Sequence, residues 1–187
     1  MDAATVEGRP SPPSRIDPIL FGRGMAVVRI FFGLVVFANG VAKVTGDTQI
    51  ALGPYRGNLI NRPQARQILN FEVNQRDGRG TQGPLLKRVV NDVVLPNWGL
   101  FGWVVTFVEL GAGALLILGL ATRGAALVDL AQQLFLALVY ASSNRWLFEQ
   151  PHEYVPLVVL AAVPAGRVWG LDAWLTRARP ALRRWPF

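Results

Sequence analysis

Met25-Ala-Val-Val-Arg-Ile-Phe-Phe-Gly-Leu-Val-Val-Phe-Ala38 carries a single charged side chain, Arg29, in an otherwise apolar run. Extended outward from Gly24 to Val44, the run has roughly the 20 residues a helix needs to cross about 30 Å of hydrocarbon. A charge at the centre of such a helix costs about 2.5–3.5 kcal/mol. Arg29 is therefore expected near an interface, paired, or in a functional role.

Three more runs of the same kind follow, Trp98–Leu120, Gly124–Ser143 and His152–Leu171. They are long and continuous instead of alternating, which predicts helices and not barrel strands. The expected fold class is all-α: a polytopic membrane four-helix bundle with an amphipathic or interfacial segment between the first and second spans. Residues 21–175 form the membrane domain, with spans near 24–44, 98–120, 124–143 and 152–171 and an extracytoplasmic segment over 45–97. Residues 1–20, with Pro10, Pro12, Pro13 and Pro18, read as a flexible cytoplasmic tail without a cleavable signal. Residues 176–187 read as a basic cytoplasmic tail.

Composition agrees. Of 187 residues, 51% are hydrophobic and only 17% charged, against about 25% charged in soluble domains. The net charge of +7 comes mostly from arginines beside the apolar runs. That placement suits lipid headgroups and topology, and argues against nucleic acid. The absence of cysteine removes disulfides, thiolate metal sites and thiol redox chemistry, and one histidine is too few for a bis-histidine haem within one chain. Arg9, Arg15 and Arg23, then Arg123, then Arg177, Arg179, Arg183 and Arg184 fall on one side if the span number is even. The positive-inside rule makes that side the cytoplasm and places both termini there.

Within 45–97, Asp77–Gly83 reads as a turn and Pro63–Gln75 as a short helix. Pro84–Leu95 reads as an amphipathic helix with Leu85, Leu86, Val89, Val90 and Val93 on one side. It can lie on the outer membrane surface, cap the bundle or dock a partner.

Counted by depth, Arg29 and Asp129 sit at similar levels and are expected to pair or share a network; the alternative is Arg29 reaching headgroups alone. Glu109 is roughly 16 Å from either edge of its span, and must be protonated, paired or facing a polar cavity. Its neighbours by depth are Gln132, Gln133, Asn39 and Arg29. A neutral structural carboxyl and a ligand or proton role both remain open for it. Lys43 is placed against Glu153 at the outer edge. Arg167, Asp172 and the tryptophans Trp98, Trp103, Trp146 and Trp174 read as interface anchors, and the glycines after Glu109 as helix-packing positions. The candidate ligand-binding or polar-network set is thus Arg29, Asn39, Lys43, Glu109, Asp129, Gln132, Gln133 and Glu153. No catalytic triad, paired-carboxylate hydrolase site or metal motif is visible.

Several short motifs recur in order: Arg29-Ile-Phe-Phe-Gly33, Asn39-Gly-Val-Ala-Lys43, Glu109-Leu-Gly-Ala-Gly113, Leu118-Gly-Leu-Ala-Thr-Arg123 and Gly166-Arg-Val-Trp-Gly-Leu-Asp172. In this order the chain resembles the DoxX family of small four-helix bacterial membrane proteins. The resemblance implies a multi-pass bacterial plasma-membrane protein. Some relatives are linked to thiosulfate–quinone oxidoreductase, others to membrane oxidative-stress complexes. The expected function is an accessory subunit that anchors or organises an oxidoreductase assembly, without independent catalytic activity. The alternative is a quinone- or lipid-binding protein, and a small transporter ranks third. No intrinsic cofactor is expected, with a quinone as the candidate ligand. The expected partners are membrane lipids and a protein partner or a second copy of the chain.

Overall fold

The computed structural model describes residues 17–75, 80–141, 151–179, 182 and 184–187. Residues 1–16 of the expected tail over 1–20, the first part of the Asp77–Gly83 turn, Ser143, Trp146 and Arg183 lie outside them, and Pro18, Ile19 and Leu20 of that tail are instead the first turn of a helix.

Helix α1, Pro18–Thr45, starts where Asp17 accepts hydrogen bonds from the backbone N–H of Ile19 (2.8 Å) and Leu20 (3.4 Å). These satisfy donors the helix leaves unpaired, with Pro18 preset for the first turn. The helix stops at Gly46, whose φ of 87° needs no Cβ, and whose N–H donates to Ala42 O at 2.8 Å. Helix α4, Trp98–Leu118, packs along it. A Cβ on Gly33 would lie 2.8 Å from Ile117 N, one on Gly40 2.8 Å from Leu110 N, and one on Gly113 2.6 Å from Phe37 N. These three glycines let the two backbones touch, as small residues do between helices in lipid. The pairings run in opposite order along the two helices, so α1 and α4 are antiparallel and staggered.

Helix α5, Thr122–Tyr140, follows a tight corner at Gly119 (φ 64°) and Ala121 (φ 47°). Helix α6, Pro151–Ala162, corrects the expected fourth span over 152–171. Pro164 cannot donate to a helix ladder and disfavours helical geometry in Val163 before it. The chain instead makes a 3-10 turn at Ala165–Arg167 and restarts as α7, Leu171–Ala178. The described part of α6 covers about 18 Å at helical rise. Ala112 and Leu116 of α4, Ala125, Ala126 and Leu130 of α5, and Leu157 and Leu160 of α6 form the main core.

The segment between α1 and α4 is more structured than its sequence suggested. It opens with an antiparallel hairpin, β1 Gln49–Leu52 and β2 Tyr55–Asn58, joined at Gly53-Pro54. This is a small departure from an all-helical chain, and Gly-Pro between apolar residues was its only signal. Helix α2, Arg62–Asn74, matches the expected short helix and begins with a reciprocal cap between Asn61 and Gln64. Helix α3, Pro84–Arg88, widens into a π-helical turn over Val89–Val94. The wider turn changes which side faces inward. Val90, Val94 and Leu95 pack on Leu69 and Val73 of α2 and Val139 of α5, while Leu85, Val89 and Val93 are exposed. The segment thus caps one end of the bundle.

Helices α1 and α4 are each long and apolar enough to cross a membrane. Their outward faces present Val27, Phe31, Leu34, Leu100, Val104 and Phe107. The same apolar surface continues over Val128, Leu134 and Leu138 of α5 and Val155, Val158 and Val159 of α6. A monomer in water rarely exposes contiguous apolar surface on this scale.

Candidate functional site

Near the capped end, α1, α2, α4, α5 and the start of α6 enclose a half-open cavity of about 830 Å³. Along α1 its wall changes from Phe31, Phe32, Val35 and Val36 to Asn39 and Lys43, a run of about 18 Å at helical rise. Phe31 and Phe32 meet edge to face with centroids 5.8 Å apart. Ile68 and Phe71 of α2 and Leu136 of α5 extend the apolar lining, while Glu72, Glu109, Asp129, Gln133, His152 and Glu153 supply polar groups.

At the polar end the Lys43 ammonium meets Glu109 Oε2 at 2.7 Å, with the two side chains only 4% and 10% exposed. Lys43 also donates to Ile60 O at 3.0 Å, and Gln132 Nε2 donates to Glu109 Oε1 at 3.3 Å. Asn39 Oδ1 accepts from Ile60 N at 3.1 Å. Arg62 Nε donates to Lys43 O at 2.8 Å, and its guanidinium lies 3.8 Å from the centre of the Trp103 ring. The loop after β2 is therefore bound to the end of α1 on both sides of the ion pair. Asp129 is fully buried, with Gln133 beside it and the charges of Glu109 and Glu153 nearby.

Asn39, Lys43, Glu109, Asp129, Gln133 and Glu153 thus converge on one cavity, and Gln132 joins them through Glu109. Two pairings expected from depth are corrected. Lys43 is paired with Glu109, where Glu153 was the expected partner. Arg29 pairs with neither Asp129 nor the headgroups. It is fully buried about 20 Å along α1 from Lys43, towards the end of the bundle away from the cap, and donates from Nη2 to Trp169 O at 2.9 Å. Any Cβ on Gly119 or Gly170 would collide with its guanidinium.

That opposite end has its own logic. Asp172 is fully buried and accepts from Ala121 N at 2.7 Å and Thr122 N at 3.2 Å, capping α5 from a distant part of the chain. Its own N–H donates to Gly119 O at 2.8 Å. Asp172 is therefore a helix cap and not an interface anchor, and Arg167 donates to Phe187 O at 3.2 Å. The motifs Leu118–Arg123, Gly166–Asp172 and Arg29 meet here as one joint.

Sequence reasoning missed Glu72, which is buried and lines the cavity; Gln75 Nε2 donates to its carboxylate at 2.8 Å. An acid sharing a helical stripe with Leu69 and Val73 was the available signal. It also missed the backbone oxygen of Ile60, which no side-chain pattern announces.

No curated protein and no solved structure matches the chain. A family model does: residues 77–142 match DoxX, a stretch that contains Glu109, Asp129, Gln132 and Gln133. The match covers about a third of the sequence, and over that stretch the chain is similar to the DoxX family.

Proposed function

We propose that the protein holds a small amphipathic molecule, a quinone or a lipid headgroup with its tail, in the cavity beside the Lys43–Glu109 pair. In this reading it serves as a non-catalytic subunit that organises a membrane oxidoreductase assembly in the bacterial plasma membrane. The observation that carries the reading is the gradient along one cavity, from the Phe31–Phe32 pair to Asn39, Lys43 and the buried acids. Ligand sites are mostly apolar with a few convergent polar groups. A quinone fits this lining: aromatic walls for the ring, and Gln133 together with the remaining N–H of Lys43 for its oxygens. A bound quinone would supply two-electron redox chemistry. The electrons would come from a partner, because this chain has no cysteine and only one histidine.

The proposal includes a multi-pass topology in which α1, α4, α5 and α6 lie in the bilayer. The apolar outer surface shared by these four helices supports it. The start of α1, the α4–α5 corner and the C-terminal residues gather at one end, where Gly22 meets Val168 and Arg123 N donates to Pro186 O at 3.3 Å. This gathers Arg123 with the arginines flanking α7, which favours a cytoplasmic location for that end. The exposed hairpin residues Leu52 and Tyr55 at the other end suit contact with a protein partner or a second copy.

The test is to isolate the full chain in native-lipid nanodiscs and identify bound small molecules by mass spectrometry, beside Val36→Trp, which fills the cavity. The expected result is a stoichiometric amphiphile lost in Val36→Trp. Equal small-molecule content in both, with both folded, would overturn the reading.

A further inference from the structure

We propose that the opposite end of the bundle carries a second, separate site, which binds the phosphodiester headgroup of an anionic phospholipid between Arg167 and Arg177. A concave patch of about 730 Å³ lies between the 3-10 turn and α7, with both arginines, Trp169, Gly170, Leu171 and Ala173 among its walls. Arginine stays ionised in proteins and offers a planar fork of donors that fits phosphate oxygens. Arg29 stands directly behind the floor, its guanidinium packed against Gly170, and adds a third positive charge. Asp172, the nearby acid, has its carboxylate committed to Ala121 N and Thr122 N. Asp172 still sets one negative charge against Arg29, and Arg167 also donates to Phe187 O at 3.2 Å, so it is Arg177 and the remaining donors of Arg167 that make the patch complementary to a phosphate.

The apolar flank selects the source of that phosphate. Trp169 and Trp174 are 61% and 68% exposed, and Leu171 is exposed beside them. Helix α7 turns Asp172 and Thr176 inward and leaves Leu171, Trp174 and Arg177 outward, the pattern of a helix lying in a membrane interface. A free phosphate would use only the arginines. A phospholipid uses both parts, with its phosphate in the fork and its glycerol and upper acyl chain along Leu171 and the indoles. Binding there also holds α7, and with it the cap on α5 and the carbonyl that receives Arg29. Anionic lipid should therefore raise the stability of the whole bundle.

The test uses the full chain in detergent micelles, with native mass spectrometry and thermal melting as readouts. Probes are phosphatidylglycerol, phosphatidylcholine and inorganic phosphate. The wild type is expected to retain one phosphatidylglycerol about tenfold better than phosphatidylcholine and to melt several degrees higher with it. Arg167→Gln/Arg177→Gln should lose both effects. Arg179→Gln/Arg184→Gln, with the same charge change outside the patch, should keep them. If the first double variant does not fold, Arg177→Gln alone, at an exposed position, should lose several-fold in retention. Equal losses in both double variants, equal retention of the two lipids, or stabilisation by inorganic phosphate alone would each overturn the proposal.

Discussion

Replacing Lys43 by Met, Glu109 by Gln, and then both, separates the worth of the buried pair from the worth of each residue. Removing one partner of a buried ion pair costs about 3–5 kcal/mol, because the other charge is left without compensation. Lys43→Met leaves Glu109 with only the 3.3 Å bond from Gln132, so it belongs near the upper part of that range. Glu109→Gln leaves Lys43 its 3.0 Å bond to Ile60 O and a neutral acceptor, so its cost is about 2 kcal/mol. The double variant removes both charges and mainly deprives Ile60 O of a donor, about 1 kcal/mol. Taken together the two singles should therefore cost about 5 kcal/mol more than the double, several thousandfold in the folding equilibrium. Equilibrium unfolding in mixed micelles with a denaturing detergent, followed by far-ultraviolet circular dichroism, measures all four proteins. Additivity within about 0.5 kcal/mol, the behaviour of independent sites, would refute the pairing as a stabilising contact.

Gly113→Ala should destabilise the protein by about 1–3 kcal/mol through overpacking, whereas Gly111→Ala, with nothing within 4 Å of the new methyl, should be neutral or stabilising in the same unfolding assay. Asp172→Ala should cost about 1–3 kcal/mol and speed amide exchange in the first turn of α5, with Asp172→Asn retaining part of the cap. Arg62→Ala should cost about 1–2 kcal/mol by losing the Lys43 O bond and the Trp103 face, and should shift the fluorescence contributed by Trp103. Glu109→Gln with intact folding and undiminished ligand retention would leave that carboxyl a structural role only.

The three helices α1, α4 and α5 were legible because an uninterrupted apolar run of spanning length has few other uses. The cavity residues were legible for a related reason: Lys43, Glu109, Asp129, Gln132 and Gln133 are expensive inside such runs, so each stands out singly. Their partners were not legible. Depth read from each helix's own ends fails because α1 and α4 are offset, so Lys43 near the end of one meets Glu109 well inside the other, an offset of roughly 13 Å. Arg29 was misplaced for a second reason, since it bonds a backbone carbonyl, and carbonyls carry no residue signature. The break of the fourth run at Pro164-Ala-Gly166 was in plain view, but the hydropathy of the run masked it. The inward side of Pro84–Leu95 depended on a π-helical turn, to which a 3.6-residue count is blind.

The contact between α1 and α4 has a consequence for biosynthesis. Both sides of the glycine seam emerge from the ribosome before α5 is made, so the two helices of spanning length can pair in the translocon while the remainder is still being translated. The Arg29 guanidinium is then already at its place, yet the Trp169 carbonyl that receives it and the Asp172 cap beside it arrive only after α6. A nascent chain truncated between Tyr140 and Trp169 would hold a paired but unlatched core, the form that membrane proteases and insertion chaperones should recognise as unfinished.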